Sequence, residues 1–214
     1  MNNDTFVSNR ALPSQARGKE RVRLILATSA ELFSQRGVSE VSTNDIALAA
    51  HIPVGSVYRY FDSKTAILQS LIELHGREVS TIITKIANNP VAGQMSWYEL
   101  ITLVLNAWSE YRVHNKSRAF LQFARSDPKL AAAVAQKNEE LYRAFMLLAQ
   151  AKESERTNDT GPGRQEAILL AFHYCRATVD MLDDPHFPAI TKEALLEAAA
   201  SGIGGGLDES AENE

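Results

Sequence analysis

The sequence predicts an all-α protein: an N-terminal three-helix helix-turn-helix module followed by a larger helical domain. Three observations carry this expectation. Apolar residues recur at helical spacing along most of the chain. No stretch shows the strict alternation of a strand. The breaks between periodic stretches are short and marked by Pro, Gly, Asn or a capping Ser.

Residues 1–18 contain Pro13 and Gly18 and lack apolar periodicity, so a flexible basic arm is expected there. From Lys19 the pattern turns helical. Val22, Ile25, Leu26, Ser29, Leu32 and Phe33 share one face, and Gly37 follows as a left-handed C-cap. Ser42-Thr43-Asn44-Asp45 opens a second helix, with Ser42 capping the Asp45 amide and Asp45 reaching back. Ile46, Ala47 and Ala50 form its apolar face. It ends near His51, because the residue before Pro53 avoids the helical conformation. Pro53 suits the first turn of a third helix that runs to about Phe61. Ser63 caps a fourth helix from Lys64 through Ile67, Leu68, Leu71, Ile72, Leu74 and Val79 to Ile86, stopped by Asn88-Asn89-Pro90. Further helices are expected at 95–114, 117–126, 128–152, 164–183 and 188–202, separated by Asp127-Pro128, the polar segment Ser154–Gly163 and Asp184-Pro185. The stretch from Gly202 to Glu214, glycine-rich and then acidic, is expected to fray.

The 214 residues are 45% hydrophobic and 22% charged, which suits a globular chain able to bury a sizeable core. One cysteine, Cys175, cannot form an internal disulfide. No apolar run approaches the roughly 20 residues that span a bilayer, and the N-terminus lacks the basic start and apolar stretch of a secretory signal. A cytoplasmic protein with no membrane partner is expected. The net charge of −4 speaks against a nucleic-acid partner for the chain as a whole, but the charge is uneven. Residues 1–64 hold eight Lys/Arg against six Asp/Glu, whereas the remainder holds fourteen against twenty. Between Arg10 and Arg23 lie five basic residues and only Glu20, so one end of the molecule is suited to a polyanion.

The informative block is residues 20–75. In a helix-turn-helix the second short helix enters the major groove, and here it reads Pro53-Val54-Gly55-Ser56-Val57-Tyr58-Arg59-Tyr60-Phe61. Val57 and Phe61 stand four apart and are expected to face the core. Val54, Gly55, Ser56, Tyr58, Arg59 and Tyr60 are then left outside. Gly55 allows close backbone approach. Ser56 suits a base edge or a phosphate, the Tyr58 and Tyr60 hydroxyls suit phosphate oxygens, and Arg59 suits a phosphate or a guanine. Lys64 adds charge beside the free amides of the next helix, an arrangement suited to a phosphate.

The stretch Ile25–Leu71 resembles the DNA-binding domain of the tetracycline-repressor (TetR) family. The residues that carry the resemblance are Ala30-x-Leu32-Phe33-x-x-x-Gly37, then Ser42-x-x-Asp45-Ile46-Ala47, then Gly55-Ser56-Val57-Tyr58-Arg59-Tyr60-Phe61-x-Ser63-Lys64-x-x-Ile67-Leu68. The resemblance implies a homodimeric repressor that binds double-stranded DNA at an operator and is released by a small-molecule inducer. It further implies phosphate contacts from Thr43 and Tyr58 with Lys64 beside them, base reading by Asn44, Val54, Gly55, Ser56 and Arg59, and either role for Tyr60. Ser42 is the cap. Two residues depart from the family pattern: His51 stands where glycine is usual in the turn, and Pro53 where a serine cap is common. The expected division is therefore an arm over 1–18, a DNA-binding helix-turn-helix domain over 19–66, a helical ligand-binding and dimerisation domain over 67–206, and an acidic tail over 207–214.

The C-terminal two thirds match no motif. A ligand pocket in a helical bundle needs an apolar lining and a few polar anchors. Trp108, Tyr111, Phe120, Phe123, Tyr142 and Phe172 are candidates for the lining, and Arg112, Arg143, His173 and Arg176 for the anchors, which suits an inducer of apolar or aromatic character. Ordinary core packing is the competing reading for each aromatic. Ile168, Leu169, Phe172, Val179 and Leu182, with the small-residue face Ala194, Leu195, Ala198 and Ala199, are candidates for the dimer interface, four helices being bundled there in the family.

No catalytic, cofactor or metal site is expected. His173 and Cys175 point to different sides of a helix, no paired metal-ligand spacing occurs, and Gly202–Gly206 does not lie between a strand and a helix. Asp183, Asp184 and His186 read as a solvated turn. The alternative reading is an all-helical small-molecule-binding protein or enzyme with a structural N-terminal module.

Overall fold

The apolar stretches read as helical are helices, and no strand occurs among the described residues. The structure is a computed structural model that describes residues 12–153, 162–182 and 192–212. In chain order the helices are α1 (Leu12–Arg36), α2 (Thr43–Ala49), α3 (Val54–Tyr58), α4 (Lys64–Ala87), α5 (Trp97–His114), α6 (Arg118–Ser126), α7 (Ala131–Glu153), α8 (Pro162–Met181) and α9 (Lys192–Glu212). Single 3-10 turns at Ala92–Gln94 and Pro128–Leu130 lead into α5 and α7.

Two ends of the expected division move. Helix α1 starts at Leu12 rather than Lys19, so an arm extending to residue 18 is too long. Pro13 falls in the first turn, where its missing N–H costs nothing, and Arg17, Lys19, Glu20 and Arg21 are good helix formers. Residues 1–11, with Arg10, lie outside the described residues. At the other end α9 runs unbroken through Gly202–Gly206 to Glu212, where fraying was expected. Packing overrides the low propensity of glycine, roughly 1 kcal/mol per residue. Leu196, Ala200, Ile203 and Leu207 are buried. Gly204 lets α9 lie directly on the start of α5: a Cβ there would stand 2.8 Å from the Tyr98 N and Cα atoms. The breaks at 154–161 and 183–191, which include Asp183, Asp184 and His186, lie outside the described residues.

Buried residues form two cores. One joins Ile25, Phe33, Ile46, Val57, Phe61, Ile67 and Ile72 to Phe120, Leu121 and Ala124 of α6. The other joins Val79 and Ile83 to Trp97, Leu105 and Trp108 of α5, Phe145 of α7, Phe172 of α8 and Ile203 of α9. Helix α4 contributes to both, and the change-over falls between Ile72 and Val79, around His75 and Gly76. The expected domain border at residue 66 is therefore not a border between cores, and α6 belongs with the N-terminal one. Each buried Leu, Ile or Phe contributes roughly 1.5–3 kcal/mol, so α4 is the beam that holds both ends together. At its midpoint a Cβ on Gly76 would fall 2.7 Å from Lys137 Cγ and 3.2 Å from Lys137 Cα, so α4 and α7 touch there through backbone. A second link runs from α1 to the α5–α6 turn, where Lys116 Nζ pairs with Glu31 at 2.5 Å. Lys116 itself has φ +51, in the left-handed region.

Candidate nucleic-acid interface and ligand cavities

The capping residues shape the α2–α3 unit. Ser42 Oγ accepts from the Asp45 amide at 3.1 Å, and the Ser42 amide donates to Asp45 Oδ2 at 2.8 Å. The Ser42 hydroxyl and amide together hold the Asp45 carboxyl down to about 2, with Arg36 assisting at 3.3 Å. Gly37 is left-handed at φ +81, as its position after α1 requires. Helix α2 ends at Ala49, and the chain reverses through His51 at φ +52. The residue that replaces the usual glycine therefore adopts the backbone conformation that glycine favours. Pro53 is the N-cap of α3 rather than its first residue, and α3 stops at Tyr58, short of the expected Phe61. The Tyr60 and Phe61 amides still donate to the Val57 carbonyl, so the turn is continued beyond the regular helix.

The expected division of α3 is present. Val57 is 0% and Phe61 6% exposed. Val54, Gly55, Tyr58 and Arg59 are exposed, Ser56 and Tyr60 half-buried. On α2, Asn44 is exposed, and Thr43 Oγ1 lies 2.9 Å from the Tyr58 hydroxyl, so two groups expected at phosphates stand side by side. The Arg59 guanidinium lies 5.9 Å from the Tyr60 ring centre. The Tyr60 hydroxyl is 3.9 Å from where a side chain at Gly18 would begin. That contact sets the basic start of α1, with exposed Arg17 and Lys19, beside α3.

Lys64 lines the same surface groove as Thr43 and Tyr58, as expected, but its ammonium is also engaged by backbone. Its ammonium donates to the Val38 carbonyl at 2.7 Å and the Val41 carbonyl at 2.8 Å, with the Ser39 carbonyl at 3.4 Å. It ties the start of α4 to the α1–α2 turn and is not a free surface charge. Its partners lie more than twenty residues upstream and are backbone atoms, so no side-chain pattern announces them.

Residues 25–71 match the family described as bacterial regulatory proteins, tetR family. This stretch, which holds α2, α3 and the residues that flank them, is thus similar to the TetR family. Part of the chain is also similar to named regulators. The repressor KstR of Mycobacterium tuberculosis is 37% identical over 93 residues, 44% of this chain and 40% of that protein. The regulator EthR of the same species is 33% identical over 73 residues, 34% of each. The chain spans less than half the length of relatives such as these. Among solved structures, the regulator FadR of Bacillus subtilis in complex with stearoyl-CoA superposes with a TM-score of 0.66 at 18% identity, covering 86% of this chain and 98% of that one. FadR of Bacillus halodurans gives 0.70 at 18% identity, covering 87% and 96%. At that identity the likeness is one of fold.

The ten candidate ligand residues do not converge on one site. A cavity of about 380 Å³ opens between α1, α4, α5 and α6, lined by Leu26, Ala30, Leu71, His75, Tyr111 and Phe120 among others. Burial there pushes the Tyr111 phenol up to about 12. A smaller, more enclosed chamber of about 110 Å³ on another side of His75 holds Trp108, Arg112 and Arg176. Phe123 packs against the N-terminal core. Tyr142 stacks edge-on with Phe172, 5.8 Å between centroids, within the C-terminal core. Arg143 points outward and pairs with Glu139, and His173 is exposed beside the Phe172 ring. Arg143 and His173 each follow an inward residue, and successive positions on a helix diverge.

The chamber contains residues that pattern reading missed: His75, Arg125, Lys137, Asn138 and Asp180. A signal existed. Lys137 falls in the stripe Ala133, Leu141, Ala144 and Leu148 of α7, and His75 in the stripe Leu68, Ile72, Val79 and Ile83 of α4, both otherwise apolar and buried. Among the described residues no group of three or more His, Cys, Asp or Glu is placed to hold a metal ion, and no helix is long and apolar enough to cross a membrane.

Proposed function

We propose that the chain is a cytoplasmic, homodimeric transcriptional repressor that binds an operator through α2 and α3 and leaves it when a small-molecule inducer binds the helical domain. One observation carries this reading. On a five-residue helix fixed by buried Val57, the polar and aromatic neighbours Tyr58 and Arg59 are left outside, beside Thr43, Asn44 and the basic start of α1. Tyr58 and Thr43 serve phosphates, Asn44, Val54, Gly55, Ser56 and Arg59 read bases, and Tyr60 serves either. Lys64 acts indirectly by holding the frame. The name of the relative KstR supports repression as the outcome.

Dimerisation is supported by the outer face of α8. The expected stripe divides: Ile168, Phe172 and Val179 are buried in the chain's own core, whereas Leu169, Leu170 and Tyr174 are exposed at 39%, 55% and 61%. Exposed Ala198, Ser201 and Gly202 lie on α9. A second copy covering this face would set two α3 helices on one side, to enter successive major grooves roughly 34 Å apart. The cavity of about 380 Å³ supports inducer control, because it is walled by α1 of the DNA-binding end and by α4, α5 and α6. An occupant that favours one spacing of these helices shifts the population of DNA-competent dimers.

The test is selection of duplexes by the full chain, followed by anisotropy titrations of the selected sequence. Tyr58→Phe is expected to weaken binding to every duplex alike. Arg59→Ala is expected to change the consensus as well. Selection that returns no enriched sequence overturns the reading.

A further inference from the structure

We propose that the chamber between Trp108, Arg112, Arg125, Lys137 and Arg176 is an oxyanion site that takes the carboxylate or phosphate group of a small effector. The effector role rests on the reading above; the site itself rests on its own chemistry. Four cationic side chains from α5, α6, α7 and α8 line the space, with Asp180 as the single carboxylate among the lining residues. Arg112 Nη1 donates to Asp180 Oδ1 at 2.5 Å, and Arg125 donates to the other oxygen. Asp180 is thereby shared between two arginines, and the charge of Lys137 and Arg176 has no carboxylate of its own in the chamber.

Donors stand ready as well. Trp108 is 2% exposed, and its buried indole N–H makes no hydrogen bond among the described residues. His75 is equally buried, with Nδ1 without a partner there. Asn138 adds an amide whose Oδ1 is without a partner, and an amide turned about would present its NH2 instead. The unpartnered Trp108 N–H beside excess positive charge is costly when the chamber is empty and is satisfied by an oxyanion, to which His75 in its Nδ1–H tautomer and a turned Asn138 amide would also donate. An apolar ligand would satisfy none of them, and a metal cation would be repelled.

The electrostatics agree. His75 is held neutral by burial, with Lys137 and Arg112 adding to the effect. Burial pushes Lys137 down to about 8; Arg176, Arg112 and Arg125 act in the same direction and Asp180 against it. Glu140, the further α7 carboxylate nearby, is turned towards Gly76. An anion in the chamber therefore restores the proton of Lys137, so binding near pH 8 takes up protons.

The experiment is calorimetric titration of the full chain with acetate, inorganic phosphate and, as the uncharged control, acetamide, at constant ionic strength. Acetate or phosphate is expected to bind and acetamide not. Lys137→Met should weaken binding roughly tenfold or more, and Trp108→Phe several-fold, as befits charge-assisted hydrogen bonds. Titration in buffers of different ionisation heat should show proton uptake near pH 8 in the wild type and none in Lys137→Met. Binding of acetate alone identifies a carboxylate effector, and of phosphate alone a phosphate ester. Neither anion exceeding acetamide, or Lys137→Met binding like the wild type while folded, overturns the proposal. The same chain on its selected duplex separates the two readings. Normal DNA binding without anion binding removes the site and leaves the regulator. Anion binding without any change in DNA affinity keeps the site and removes the inducer role.

Discussion

Replacing Lys64 with methionine separates two roles for one ammonium. In the structure it donates to the Val38 and Val41 carbonyls at 2.7 and 2.8 Å, and a third contact, to Ser39, is long at 3.4 Å. Hydrogen bonds from a charged donor contribute about 1.5–3 kcal/mol each when one partner is deleted. The site is only half-buried, so water replaces part of this, and about 1 kcal/mol for each short bond is the working figure. Methionine keeps most of the stem and its packing. The expected cost is therefore about 2 kcal/mol, or roughly 4–8 °C in Tm for a chain of this size. Calorimetry measures that cost. Anisotropy well below Tm should find the salt dependence of DNA affinity unchanged, because no phosphate contact is lost. A salt slope lowered by about one, with Tm unmoved, would refute the structural role and return Lys64 to the DNA backbone.

Three further outcomes follow from the same geometry. His51→Gly removes the cost of a left-handed L-residue, so Tm should rise by a few degrees, about 1 kcal/mol or less after the entropy of glycine is subtracted; a fall in Tm contradicts this. Gly204→Ala drives a Cβ into the Tyr98 backbone and should cost about 2 kcal/mol, whereas Gly202→Ala, with nothing within 4 Å, should gain up to about 1 kcal/mol of helix propensity. Equal effects in thermal melts would show that α9 does not lie on α5 as described. Lys137→Met should stabilise the empty protein by a few kcal/mol, since a buried charge is exchanged for an apolar chain. In the wild type the folded lysine titrates at about 8 and the unfolded one near 10.4. The unfolded chain thus holds the extra proton between those values, and stability should rise with pH across that window, by on the order of 3 kcal/mol. A flat profile there, or one shared by Lys137→Met, would contradict the burial of the charge.

What could be read from the chain depended on how far apart the interacting residues lie. The two faces of α3 were legible because Val57 and Phe61 stand one helical turn apart, and the α2 start because Ser42 and Asp45 cap one another within three residues. His51 was marked as a departure, and its left-handed backbone explains the preference it breaks. The start of α1 and the end of α9 were misplaced for different reasons: Pro13 and Gly18 drew attention away from the helix formers Arg17, Lys19, Glu20 and Arg21, whereas the glycines of α9 are held helical by packing, Gly204 lying against Tyr98. The candidate ligand residues were collected by type and neighbourhood. Trp108, Arg112 and Arg176 meet in the chamber, but Lys137, Arg125 and Asp180 reach it from three other positions on the chain, and no spacing rule joins them. Arg143 and His173 were lost to the phase of their helices.

The short turn between α5 and α6 has mechanical significance. One helical turn of α5 separates Trp108 from Arg112, which wall the chamber, and about one turn beyond them comes Lys116, which clasps Glu31 on α1. The Arg112 carbonyl also accepts from the Ser117 amide, so the clasp and the arginine share one piece of backbone. The clasp lies at the surface and is weakened by salt, while its lysine is held in a backbone conformation that L-residues disfavour. The joint therefore ties one wall of the chamber to α1, whose first turns lie beside α3, across a single exposed ion pair.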